Sequence, residues 1–113
     1  MFEIKLIING EEKTFTQPFV SGRILRNTIE HDEKLQENAN QEPFDRTKDL
    51  DLCAEYVSLV FNDQFTADQF IDGLPSHKVY DEYWRVKGLV QQGRADAFKG
   101  FMNDPGEEPD PNA

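Results

Sequence analysis

The sequence has little cysteine, little histidine and no long apolar run, and each shortage excludes a class of protein. The single cysteine, Cys53, cannot form a disulfide within the chain, and no cysteine–histidine cluster has the spacing of a zinc site. Glu3 and Lys5 interrupt the apolar N-terminal run, which is therefore neither a secretion signal nor a membrane span. We expect a protein of a reducing compartment such as the cytosol.

The residues that usually carry catalysis are few and scattered. We expect the two histidines, His31 and His77, to be exposed or to cap helices, and Cys53 to be an inert thiol in the core. Asp49 and Asp51 lack the further ligands of a calcium loop, and no glycine-rich phosphate-binding pattern is present. The sequence therefore predicts a protein that is not an enzyme and binds no cofactor and no metal.

Acidic side chains outnumber basic ones by 22 to 12, so the formal charge of the 113-residue chain is −10. Such a charge repels nucleic-acid phosphate and anionic lipid, and neither is expected as a partner. It would attract basic partners, although a merely solvated acidic surface explains the composition as well.

The N-terminal residues predict a β-hairpin. Apolar side chains alternate over residues 2–8, which is the pattern of a half-buried strand. Asn9-Gly10 follows, the strongest short-range signal for a two-residue hairpin turn. Residues 13–16 form the returning strand, which Pro18 ends because proline cannot donate to the ladder.

Two longer helices are predicted next. The first runs from its cap, Ser21, to Gln36, with Ile29 on its apolar face. A polar loop over residues 37–47 follows, in which Phe44 is expected to be the anchor. Thr47 is expected to cap the second helix, residues 48–61, whose apolar side chains cover most of its circumference and place it at the centre of the domain.

The remaining helices are marked by caps. Thr66 and Gln69 match a capping box, and Gly73 is expected to end that short helix in a left-handed conformation. Ser76 is expected to cap a further helix, which Gly93 ends or kinks. Phe98, Phe101 and Met102 indicate either one more docked turn or a continuation of this helix.

The fold class is therefore α+β, with an N-terminal hairpin packed on a mainly helical domain of about four helices. We expect residues 1–102 to form this single domain. Residues 103–113, rich in acids and prolines, are expected to form a disordered tail.

Aromatic residues exceed the needs of a modest core, and tyrosine and tryptophan often anchor protein interfaces. The candidate partner-binding residues are Phe61, Phe65, Phe70, Tyr80, Tyr83 and Trp84. The alternative is that these side chains pack inside the domain, with their polar ends at the surface.

Three stretches resemble the tail assembly chaperones of long-tailed bacteriophages or prophages of Gram-positive bacteria. They are the hairpin with Asn9-Gly10, the segment 19–26 (FVSGRILR) and the segment 55–74 (EYVSLVFNDQFTADQFIDGL). The resemblance spans residues 2–92 and implies a non-enzymatic role in virion morphogenesis. Such chaperones bind and solubilise the tape measure protein and help to recruit tail tube subunits.

The same resemblance implies a protein of the host bacterial cytoplasm that is absent from the mature virion. Chaperones that coat a filament often self-associate, so the resemblance leaves self-association open for this chain. It also implies a longer form made by ribosomal frameshifting. An exposed apolar groove on a charged body, as a holdase for helices needs, agrees with the composition.

Two other functions remain open from the residues. One is an acidic mimic of DNA that inhibits a host DNA-binding protein, which would need acids at phosphate-like spacing on one rigid face. Here the acids are spread over loops, helix caps and the tail. The other is a small metal-free hydrolase, which no group of residues in the sequence supports.

Overall fold

The computed structural model describes residues 2–102, with side chains described over residues 2–91. The elements in chain order are β1 (Phe2–Ile8), β2 (Glu11–Gln17), α1 (Gly22–Ala39), α2 (Arg46–Val60), α3 (Ala67–Asp72), a 3₁₀ turn (Ser76–Lys78) and α4 (Val79–Met102). This order confirms the α+β prediction of a hairpin followed by four helices. The predicted tail, residues 103–113, lies outside the described residues.

The hairpin turn forms as predicted. Asn9 and Gly10 have φ angles of 54° and 79°, the left-handed values that a two-residue hairpin turn of this twist requires. β1 and β2 pair antiparallel over their whole length, with Ile8 opposite Glu11. One face of β1 is buried through Ile4 and Leu6, which places the sheet on the helices.

The outer edge of β1 is covered by other elements. Ile7 donates its backbone N–H to the carbonyl oxygen of Gly73 at 2.9 Å, which joins β1 to the end of α3. Arg85 of α4 donates from Nη2 to the carbonyl oxygen of Glu3 at 2.7 Å. These bonds satisfy backbone groups that would otherwise remain open for pairing with another strand.

α2 is the central helix, as predicted, and packs against α1, α3 and α4. Its buried residues are Cys53, Ala54, Tyr56, Val57, Ser58 and Val60. The predicted cap was wrong, because Asp45 caps the helix by accepting the N–H of Lys48 on Oδ1 at 3.0 Å. Thr47 lies one residue inside the first turn, and α2 begins two residues earlier than its spacing predicted.

The connection between α1 and α2 is shorter than predicted. α1 begins after Ser21, which caps it as expected, but it continues to Ala39. Asn38, fully buried, donates from Nδ2 to the carbonyl oxygen of Asp45 at 2.8 Å and holds the loop. Phe44, predicted to be the anchor of this loop, is 44% exposed. Ile29, predicted to lie on the apolar face of α1, is 49% exposed. The loop is therefore held by the buried side-chain amide of Asn38 and not by the predicted apolar anchor, Phe44.

α3 confirms the predicted capping box. Thr66 accepts the Gln69 N–H on Oγ1 at 3.1 Å, while the Gln69 side chain accepts the Thr66 N–H at 2.8 Å. Gly73 follows the helix with φ −89°, so the predicted left-handed stop was wrong. Glycine is required there by crowding, since a Cβ would lie 2.7 Å from the carbonyl oxygen of Gln69 and 3.0 Å from Cβ of Leu6.

α4 starts differently from the prediction, and the alternative of a continuous helix past Gly93 is the one observed. Ser76 lies inside the 3₁₀ turn, and Pro75 precedes that turn without a side-chain cap, so the predicted cap at Ser76 was wrong. The helix then continues through Gly88 and Gly93 to Met102. Over the described residues 2–102, no helix is both long and apolar enough to cross a membrane.

Candidate partner-binding surface

Four of the six aromatic candidates lie in the core. Phe61, Phe65, Phe70 and Tyr83 are at most 2% exposed. The Phe65 ring lies 5.0 Å from the ring of Phe15 on β2 and 5.5 Å from that of Phe61, measured between centroids. In this structure, therefore, these four side chains hold the hairpin and the helices together, and a partner does not reach them at the surface.

Tyr80 and Trp84 are the two candidates that reach the surface, with exposed fractions of 41% and 58%. They lie one helical turn apart on α4, so their side chains project from neighbouring positions on one face. The Tyr80 hydroxyl donates to Oδ2 of Asp49 at 2.8 Å, which connects α4 to the first turn of α2. Burial and the Asp49 carboxylate raise the pKa of the Tyr80 phenol.

The Trp84 ring is held by two neighbours on the same helix. It meets the Tyr83 ring edge to face, with centroids 5.0 Å apart. Lys87 places its ammonium nitrogen 5.2 Å from the centroid of the Trp84 ring, a cation–π contact. Lys87 is only 6% exposed and forms an ion pair with Asp32 of α1, so this contact is itself held in place. The exposed indole is therefore a pre-oriented apolar surface.

Charged side chains of both signs lie around these aromatics. Arg85 and Lys87, the two cations next to Trp84 on α4, are already bound to carboxylates: Arg85 to Glu82 at 2.7 Å and Lys87 to Asp32. Asp81 is exposed on α4 beside Tyr80. Arg46 is a further cation near Tyr80. Positively charged residues in a partner are therefore favoured by the net charge of −10 of the whole chain rather than by the immediate neighbours of the two rings.

A polar layer lies beneath this surface, and sequence reasoning missed it. His31, predicted to be exposed or a cap, is 6% exposed, so that prediction was wrong. Its Nε2 lies 2.7 Å from the Tyr83 hydroxyl oxygen, and its ring stacks on Tyr56 with centroids 4.6 Å apart. Thr28 completes the layer, with Oγ1 2.8 Å from the Tyr56 hydroxyl. The sequence did indicate this burial, because His31 lies three residues after Thr28 and therefore on the same face of α1.

Burial suppresses ionisation in this layer. It lowers the pKa of His31 to about 4, and the nearby Lys87 ammonium acts in the same direction. It raises the pKa of the Cys53 thiol to about 12, and the predicted burial of this thiol is confirmed. The imidazole and the thiol are therefore neutral at pH 7 and packed between α1, α2 and α4. Within the described side chains, no group of three or more potential ligands could hold a metal ion.

Further exposed apolar side chains lie away from α4. Phe19, in the connection between β2 and α1, is 74% exposed and is the most exposed large apolar side chain described. Sequence reasoning did not select it, although it belongs to one of the stretches that carry the family resemblance. Ile7 on β1, Ile29 on α1 and Phe44 before α2 are each about half exposed, and they are spread over different elements.

A comparison with protein families assigns the chain. The family model described as "phage tail chaperone protein" matches residues 1–104, which is most of the sequence. No curated protein matches the chain, and no solved structure matches it either. The chain belongs to the phage tail chaperone family.

Proposed function

We propose that this chain binds the tape measure protein, keeps it soluble and helps to recruit tail tube subunits while the tail is assembled. Membership of the tail chaperone family supports a chaperone role in tail assembly. The single observation that carries the binding proposal is the exposed pair Tyr80 and Trp84, held in place on α4.

The physical requirement is simple. A chaperone for long apolar helices needs apolar contact surface on a body that itself stays dispersed. The charge of −10 meets the second need, because like-charged complexes repel one another. The pre-oriented aromatics meet the first, because side chains that are already held lose little conformational entropy on binding.

The strength of the contact can be bounded. At 58% exposure, Trp84 offers on the order of 100 Å² of further burial, roughly 2.5 kcal/mol at 25 cal/mol per Å². A loss of that size weakens binding between about tenfold and a hundredfold. Trp84→Ala should therefore lower affinity clearly without removing a core side chain.

Co-expression with a fragment of the tape measure protein from the same phage tests the proposal. The wild-type chain should raise the soluble fraction of the fragment, and Tyr80→Ala with Trp84→Ala should lose most of this effect. Phe44→Ala is the matched control, since Phe44 has a similar exposure to Tyr80 but lies before α2. Aggregation that is unchanged by the wild-type chain would contradict the proposal.

Gene order gives a second test. We expect a tail tube gene upstream and a very long reading frame downstream, because tape measure proteins are long. An isolated gene beside a restriction locus would contradict the proposal. Salt-sensitive capture of basic DNA-binding proteins, displaced by added DNA, would instead support the acidic DNA mimic.

A further inference from the structure

Gly88 is an exposed glycine within α4, one turn after Trp84 and two turns after Tyr80. Apart from proline, glycine is the least favourable residue in a helix interior. A Cβ added at Gly88 would meet no atom of the described residues within 4 Å, whereas at Gly73 it would meet a backbone oxygen at 2.7 Å. Packing among the described residues thus explains why position 73 is glycine. It does not explain why position 88 is glycine.

The three residues form one row on the helix surface. Tyr80, Trp84 and Gly88 are spaced four residues apart, which is the spacing of the ridges that pack into the grooves of another helix. Two aromatic side chains are followed by a gap. A second helix that crosses α4 at this gap could bring its backbone close while its side chains lie against the two rings.

The electrostatics of the row select the kind of helix. Asp81 is exposed beside it, Asp49 and the cation Arg46 both lie near its Tyr80 end, and the chain as a whole carries a net charge of −10. The cations Arg85 and Lys87 are already bound to carboxylates of this chain. A helix with lysine or arginine beside its apolar stripe complements this arrangement, and a helix with glutamate in those places opposes it.

We propose that Tyr80, Trp84 and Gly88 form the docking site for one basic amphipathic helix, which crosses α4 closest to Gly88. This inference rests on the proposed function, in that the helix belongs to the tape measure protein. It goes further by assigning the face, the crossing point and the charge of the bound segment.

Trp84 is the only tryptophan of the chain, so its fluorescence reports on this face directly. The probes are a synthetic helical peptide of leucine, alanine and lysine, the same peptide with glutamate in place of lysine, and helical peptides tiled across the tape measure protein. The lysine peptide and at least one basic tape measure peptide should shift Trp84 emission to shorter wavelength in a saturable way. The glutamate peptide should not, and added salt should weaken the binding.

Glycine variants test the crossing point. Gly88→Leu fills the gap and should weaken binding by roughly tenfold or more, with Gly88→Ala in between. Gly22→Leu is the matched control, because Gly22 is also an exposed helical glycine with open space for a Cβ among the described residues. Circular dichroism checks that each variant is folded, and Gly88→Ala keeps the test informative if the leucine variant does not fold.

The outcomes separate the two proposals. If wild-type protein and Gly88→Leu bind the tape measure peptides equally, the docking inference is overturned and the proposed function stands. If the lysine peptide binds with the expected Gly88 dependence but no tape measure peptide binds, the face is confirmed and the proposed partner fails. Emission that shifts with protein concentration alone would show that a second copy of this chain covers the face, which also overturns the inference.

Discussion

Replacing Gly73 with alanine should destabilise this protein, because the end of α3 packs against β1 without room for a side chain. A Cβ at this position would lie 2.7 Å from the carbonyl oxygen of Gln69, 3.0 Å from Cβ of Leu6 and 3.1 Å from the carbonyl oxygen of Ile7. Two of these atoms belong to the backbone, so rotation of a flexible side chain cannot relieve the contact. The end of α3 must distort to relieve the contact with Gln69, and α3 must move away from β1 to relieve those with Leu6 and Ile7.

The cost follows from two effects. Overpacking of a closed site costs roughly 1–3 kcal/mol. The separation also stretches the hydrogen bond from the Ile7 N–H to the Gly73 carbonyl oxygen, 2.9 Å in the native structure, which contributes about 1 kcal/mol. We expect Gly73→Ala to lower the free energy of unfolding by roughly 3 kcal/mol, and the melting temperature by roughly 10 °C for a chain of this size.

Urea denaturation followed by circular dichroism measures this loss. Gly88→Ala is the matched control, since it makes the same chemical change in open space and should stabilise the helix by up to about 1 kcal/mol. The two substitutions should therefore move the urea midpoint in opposite directions. A Gly73→Ala midpoint equal to or above that of the wild type would refute the crowding argument.

Three further predictions concern buried and capping groups. His31 has a folded-state pKa of about 4, below its unfolded value of 6.5, so the unfolded state binds the proton first and stability is lost as pH falls from 6.5 to 4. Urea titrations over this range should show that the wild type loses up to roughly 3 kcal/mol of its free energy of unfolding, and that His31→Gln does not. If the free energies of unfolding of the two proteins fall in parallel with pH, the prediction is contradicted. The Cys53 thiol should react with a disulfide reagent at pH 8 only after urea unfolding, and rapid stoichiometric labelling of the native protein would count against its burial. Thr66→Ala should cost about 1 kcal/mol by removing the α3 cap while Thr66→Ser retains it, and equal urea midpoints for the two variants would contradict this.

The candidate site was only partly accessible from sequence. Composition indicated an aromatic surplus, but not which rings would face outward. Tyr83 is spaced from Val79, Val86 and Val90 by three, four or seven residues, which places these four on one helix face, apart from Tyr80 and Trp84. The structure shows that Tyr83 lies in the core with those valines, while Tyr80 and Trp84 remain exposed. The burial of Phe61, Phe65 and Phe70 depends on β1, β2 and the neighbouring helices rather than on one helix face.

The sequence by itself determined the features whose partners lie within a few residues. Asn9-Gly10 makes the hairpin turn from its own backbone preferences, and Thr66 with Gln69 closes a cap whose donors and acceptors are three residues apart. Tertiary structure decided the features whose partners are distant in the chain. His31 is neutral because burial lowers its pKa, and its hydrogen-bond partner in that buried site is Tyr83, 52 residues away. The contacts that a Cβ at Gly73 would make with Leu6 and Ile7 exist only because β1 lies against the end of α3. Turns and helix caps depend on neighbouring residues and can be predicted from them. The burial of a side chain and the close approach of two backbone segments arise only when separate segments pack together.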